Sequence, residues 1–321
     1  MREKLSDILL SLEVSVLLFT QFVLFIILSI AFLYALRILF HYKKGATTAL
    51  QYSLEKQSYL VIVIIQVVLL IKIFLVPFFT YTLNELSTIL PGAMCGAGVL
   101  NSSEYGETAL FLKIIIIMLG LLWMVLNKQD QKVVGSPYFR HKLWFFLFIY
   151  LMFLIELFSE VNFFTSLSTL EPVTCCSSIY SQNIGSKNFL LELSFFQLLG
   201  VFYSVYIGVI VSALLKNRIL LFISSVVFVY IAYYAVVYNF GIYIYELPTH
   251  KCPFCMLQSD YYYIGYFIFS SLFIATFYAF STVIYPFVQF YYKRIIFWYT
   301  IFILLTSLPF VIYIIQNRTF L

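Results

Sequence analysis

The chain has 321 residues, of which 63% are hydrophobic and only 10% charged, and its mean hydropathy is +0.99. So apolar a composition excludes an ordinary soluble globular protein, and so low a charge excludes a disordered one. What remains is an all-α polytopic integral membrane protein, in which the net charge of +5 reports topology rather than a nucleic-acid partner.

A transmembrane helix needs about 20 mostly apolar residues. In chain order the runs that meet this are Val14–Phe40, Tyr59–Thr80, Ala109–Leu126, Leu143–Phe164, Phe189–Leu214, Ile219–Ile242, Tyr263–Val288 and Ile295–Ile315. They are continuously apolar rather than alternating, which predicts helices and not a β-barrel. The whole of 1–321 reads as one transmembrane domain. Residues 1–57 hold the first helix and a cytoplasmic connection, 58–126, 143–214 and 219–288 are candidate hairpin repeats, and 295–315 is the last helix.

Basic residues set the orientation. Arg37, Lys43, Lys44 and Lys56 flank the first connection, Lys128, Lys132, Arg140 and Lys142 the third, Lys216 and Arg218 the fifth, and Lys293 and Arg294 the seventh. The even connections hold Lys187 and Lys251 beside Glu85, Glu104, Glu107, Glu171, Glu246 and Asp260. By the positive-inside rule the even connections face outward and both termini lie outside, although Arg2 and Lys4 argue against that placement of the first span. The first run is too long for a cleavable signal, and basic residues follow it where an exported segment would begin. The expected location is a prokaryotic plasma membrane.

The three long outer connections share a spacing: proline, cysteine four positions later, and an amide six after that. The sets are Pro91, Cys95 and Asn101; Pro172, Cys176 and Gln182; and Pro248, Cys252 and Gln258. Pseudo-equivalent loops of this kind would converge over one end of a helical bundle, each proline fixing the chain as it leaves its helix.

All five cysteines, Cys95, Cys175, Cys176, Cys252 and Cys255, fall in these connections. Cysteine packs well inside apolar helices, so its confinement to one side points to sulfur chemistry, and an oxidising outer compartment permits disulfides there. The densest motif is His250-Lys251-Cys252-Pro253-Phe254-Cys255-Met256. Two cysteines two residues apart can form a reversible disulfide or grip one metal ion. Cys252-Pro253-Phe254-Cys255 resembles the redox tetrapeptide of glutaredoxins and thioredoxin-like oxidoreductases over those four residues, without the βαβ context of that fold. His250 and Lys251 beside it would stabilise a thiolate.

Ionisable groups also lie within the spans, where they are costly. Lys72 and Glu156 fall at similar depth and suggest either a structural ion pair or a proton- or cofactor-linked site. Lys113, Glu160 and Glu192 lie nearer the ends, where snorkelling to the interface is the expectation. Gln66, Gln197 and Asn162 are candidates for interhelical hydrogen bonds, Pro77 and Pro309 for kinks, and Gly200 and Gly208 for close helix packing.

Three functions fit this pattern. In the first, Cys252 and Cys255 exchange disulfides with an outer thiol protein and pass electrons through Cys95, Cys175 or Cys176 to a quinone near Lys72 and Glu156. That arrangement is similar to the DsbB and vitamin K epoxide reductase families, which set cysteine pairs on outer loops above a quinone-binding bundle. In the second, Cys95, Cys176, Cys252 and Cys255, with His250, Met94 or Met256 as accessory ligands, hold Cu(I) or zinc for a metalloprotein. In the third, disulfides brace the loops of a structural subunit.

Overall fold

The computed structural model describes residues 8–42, 48–133, 136–168, 172–173, 193–284 and 291–320. Its long helices are α1 (Leu12–His41), α2 (Ala49–Leu86), α4 (Glu104–Asp130), α5 (Phe139–Ser166), α6 (Phe195–Leu214), α7 (Arg218–Ala235), α9 (Ile264–Ile284) and α10 (Tyr291–Asn317). Short helices α3 (Gly96–Asn101) and α8 (Gly241–Tyr245) complete the set, and α7 runs into α8 through a π-helical turn, Val236–Phe240. No strand occurs among the described residues. Eight helical segments there are long and apolar enough to cross a membrane, so the chain is an all-α, multi-pass membrane protein whose apolar helices meet lipid.

The observed helices overrun the apolar runs that announce them. α2 begins ten positions before Tyr59, because Gln51, Leu54 and Ser58 extend its buried face beyond the apolar stretch. The fifth run was expected to begin at Phe189; α6 begins at Phe195, and residues 174–192 lie outside the described ones. A capping box sets the start of α6: Ser194 Oγ accepts from the Gln197 N–H, and Gln197 Oε1 accepts from the Ser194 N–H at 2.9 Å. Gln197 thus caps its own helix instead of joining two. Asn162 likewise donates to the Phe158 carbonyl one turn back in α5. Pro77 and Pro309 sit inside uninterrupted α2 and α10.

The backbone forms two compact units. One comprises residues up to Leu86 and Leu100–Glu171, with α1, α2, α4 and α5 as its spans. α4 packs on α5, and α1 packs on both α2 and α5. α4 comes close to α2 at Gly120, where a Cβ would stand 2.5 Å from Leu69 Cδ2.

The other unit comprises Ser87–Val99 and Pro172–Leu321, with α6, α7–α8, α9 and α10. An aromatic core holds it: Phe228 meets Tyr299 and Phe302 nearly edge-on, and Phe202 meets Phe240 and Phe302. Among the described residues Gly200 and Gly208 pack against no neighbour, since a Cβ on either would meet nothing within 4 Å there. The π turn carries Asn239, whose side chain donates to the Phe195 carbonyl at the start of α6 at 2.9 Å.

Candidate thiolate centre and buried ion network

Two polar clusters stand out, one in each unit. In the second unit, described residues from three connections meet. The Val173 N–H donates to the Pro91 carbonyl at 2.9 Å, tying the connection after α5 to the one after α2. Gly92, at φ +85°, makes that approach possible, because a Cβ there would lie 2.5 Å from the Val173 carbonyl oxygen. A few residues on, Cys95 Sγ lies 3.3 Å from Cys252 Sγ, so the connection after α8 joins the same cluster.

Local folding brings Cys255 to that point. Glu246, with φ +55°, ends α8, and Leu247 closes the turn on the Ile242 carbonyl. Pro253 and Phe254 then form a tight turn, and the chain enters a single 3₁₀ turn at Cys255–Leu257. Proline favours such turns by presetting its φ. The ligand atoms of Cys95, Cys252 and Cys255 all lie within 4.8 Å of one another, and all three residues are buried, at 0%, 0% and 5% exposure.

Tyr245, the last residue of α8, pins this loop. Its hydroxyl donates to the Cys252 carbonyl and accepts from the Met256 N–H at 3.2 Å. Its ring packs edge-on against His250 and Tyr261, at 4.5 and 4.7 Å between centroids. Burial, followed by the neighbouring Cys255 and Asp260 charges, pushes the Tyr261 hydroxyl above its ordinary pKa. At the base of the loop Gly265 allows α9 to touch it, since a Cβ there would lie 2.6 Å from Met256 Cγ.

Of the residues singled out in the sequence, Cys95, Cys252 and Cys255 are thus brought together. Met256 is buried at the triad's edge and Met94 is 71% exposed. His250 is not among the converging ligand atoms; it packs on Tyr245, and its Nε2 is buried with no hydrogen bond among the described residues. Cys175, Cys176 and Glu192 lie outside the described residues.

In the first unit, Lys72 and Glu156 form an ion pair, but within a larger set than the sequence suggested. Glu156 Oε1 also accepts from Lys113 at 2.9 Å and from Gln21 Nε2 at 3.1 Å. Lys113 further bonds Glu160 Oε2 at 2.8 Å, and Gln21 Nε2 reaches the same oxygen at 2.8 Å. Gln21 Oε1 accepts from Lys72 at 3.0 Å. Each lysine also lies over a ring, Lys72 on Phe153 at 4.2 Å and Lys113 on Phe79 at 4.8 Å.

Lys113 and Glu160 therefore do not snorkel: they are 2% and 0% exposed. Their opposite charges satisfy one another inside the bundle, which removes the reason to reach for water. Gln21 was missed altogether. Its signal is a lone amide in the apolar run of α1, and it is fully buried. A second buried pair, Lys142 with Asp130 at 2.7 Å, joins α5 to the end of α4, where Trp123 Nε1 also donates to the Lys142 carbonyl.

No known family model matches the chain, and no curated protein or solved structure shows significant similarity to it.

Proposed function

We propose that this membrane protein holds a soft metal ion of the Cu(I) or zinc class on Cys95, Cys252 and Cys255. One observation carries this reading: three buried sulfurs, from connections far apart in sequence, fall within 4.8 Å of one another. Thiolates bound at about 2.3 Å to one ion stand roughly 3.7–4.0 Å apart, so the triad needs only small adjustments to close on a cation. Thiolate sulfur selects soft ions over hard ones.

Burial supports the same reading. A disulfide on a protein partner must be approached in line by an attacking sulfur, and these sulfurs are sealed from such an approach. A small cation has no such requirement. The excess of basic residues in the odd connections supports placing the triad on the outer face of a prokaryotic plasma membrane, where the ion would be received from, or passed to, an outer metalloprotein.

The test is elemental analysis and sulfur-edge X-ray absorption of protein prepared without oxygen. Stoichiometric soft metal with sulfur ligation, lost in Cys252→Ser, is the expected result. Protein that neither retains nor rebinds metal refutes the proposal.

The 3.3 Å contact between Cys95 and Cys252 favours a second reading, thiol–disulfide exchange. Closing that pair to the roughly 2.05 Å of a disulfide would release two electrons and two protons, which a membrane quinone would take up as quinol. Cys255 would then be the resolving thiol. Thiol trapping with and without reductant tests this, and a pair that never oxidises rules it out.

A further inference from the structure

Within the first unit's ion network the two carboxylates are not equivalent. Glu156 serves both cations, through Oε2 to Lys72 and Oε1 to Lys113, and also accepts from Gln21. Glu160 serves Lys113 and Gln21 through Oε2 alone. Its other oxygen, Oε1, is buried with no hydrogen-bond partner among the described residues. A carboxylate has about four acceptor positions, and an ionised one buried in an apolar bundle is stabilised chiefly by filling them.

We propose that Glu160 is a proton-binding site inside the membrane-spanning bundle, with Oε1 the atom that takes the proton and Glu156 the permanent counter-ion. Uptake converts the Glu160 carboxylate to a carboxylic acid, with the proton drawn from bulk water, and changes the charge of the set from zero to plus one. The arrangement tolerates that change. When Glu160 is neutral, Lys72 and Lys113 each keep an ionic bond to Glu156 and a ring face, Phe153 or Phe79. Protonating Glu156 instead would strand Lys72, whose one carboxylate partner it is among the described residues.

The charged groups whose fields reach Glu160 are Lys113 from α4, Lys72 from α2 and Glu156 from its own helix, while α1 contributes the uncharged Gln21. A purely structural network has no use for an unfilled carboxylate oxygen, because a leucine or glutamine in its place would avoid the cost. A proton acceptor requires that vacancy. This inference does not depend on the metal reading of the cysteines.

Infrared difference spectroscopy of the intact protein in lipid nanodiscs, titrated from about pH 9 to about pH 4, tests it. A buried carboxylic-acid carbonyl band should grow on acidification and shift in deuterated water. It should vanish in Glu160→Gln and survive in Glu104→Gln, which removes an exposed carboxylate. Should Glu160→Gln fail to fold, Gln21→Leu gives the answer. Loss of one hydrogen bond to the charged form should move the band's midpoint up by about 1–2 pH units. A structural role alone would leave no titrating band to move. Absence of the band, its persistence in Glu160→Gln, or a midpoint unmoved in Gln21→Leu would each overturn the proposal.

Discussion

Cys95 and Cys252 are 157 positions apart in the chain, and their sulfurs touch at 3.3 Å. Such a contact makes the pair an internal test of the loop geometry. Mild oxidation of the intact protein in lipid should yield a Cys95–Cys252 disulfide, read by mass spectrometry of non-reduced peptides. Mixed disulfides without that linkage would contradict the convergence of the two connections. A bound soft cation should slow the same oxidation, because it occupies the attacking thiolate.

Tyr245 holds the loop through a single hydroxyl that both donates to Cys252 and accepts from Met256. In Tyr245→Phe the Met256 N–H loses its partner, a cost of about 1–3 kcal/mol for a buried donor. The loss falls on the loop, so Cys252 and Cys255 should react faster with maleimide while the helical circular dichroism stays unchanged. Equal labelling rates would show that the hydroxyl does not hold the loop.

Gly265 and the pair Gly200 and Gly208 make opposite claims. A methyl at Gly265 would press on Met256 Cγ at 2.6 Å and on the Met256 carbonyl at 2.9 Å, so Gly265→Ala should cost about 1–3 kcal/mol. At Gly200 and Gly208 the methyl enters open space, and alanine should stabilise α6 by roughly 0.5–1 kcal/mol each. Thermal melts in detergent will separate the two, and a Gly265→Ala as stable as the parent would show the loop is not packed on α9.

Glu156 is the bond common to both lysines, and its removal should be the most damaging single change in the first unit. Glu156→Gln leaves Lys72 buried without a carboxylate, a loss of about 3–5 kcal/mol. Replacing Lys72, Lys113, Glu156 and Glu160 together by apolar residues should recover most of it, since no unpaired charge then remains. Unfolding in mixed micelles measures both, and an inert Glu156→Gln would mean that the network contributes little to stability.

How far the sequence reached differs between fold and sites. Each of the eight expected apolar runs overlaps an observed membrane-length helix among the described residues, because the bilayer demands about 20 apolar residues in series. The ends were less legible. α2 runs well past its apolar stretch because helix propagation continues wherever a face can still be buried, as at Gln51 and Leu54. The glycines were misread for a related reason: Gly200 and Gly208 have the expected setting, yet Gly120 and Gly265 meet the neighbours, and a neighbour's identity is not local information.

The sequence by itself determined that this is a multi-pass helical membrane protein with its cysteines in connections, since span length, charge and motif are properties of contiguous residues. Tertiary structure alone decided that Cys95 joins Cys252 and Cys255, and that Lys113 and Glu160 turn inward to Lys72, Glu156 and Gln21. An intramembrane charge can reach for water or for an opposite charge on another helix. The outcome depends on which helices pack together, which no single segment encodes.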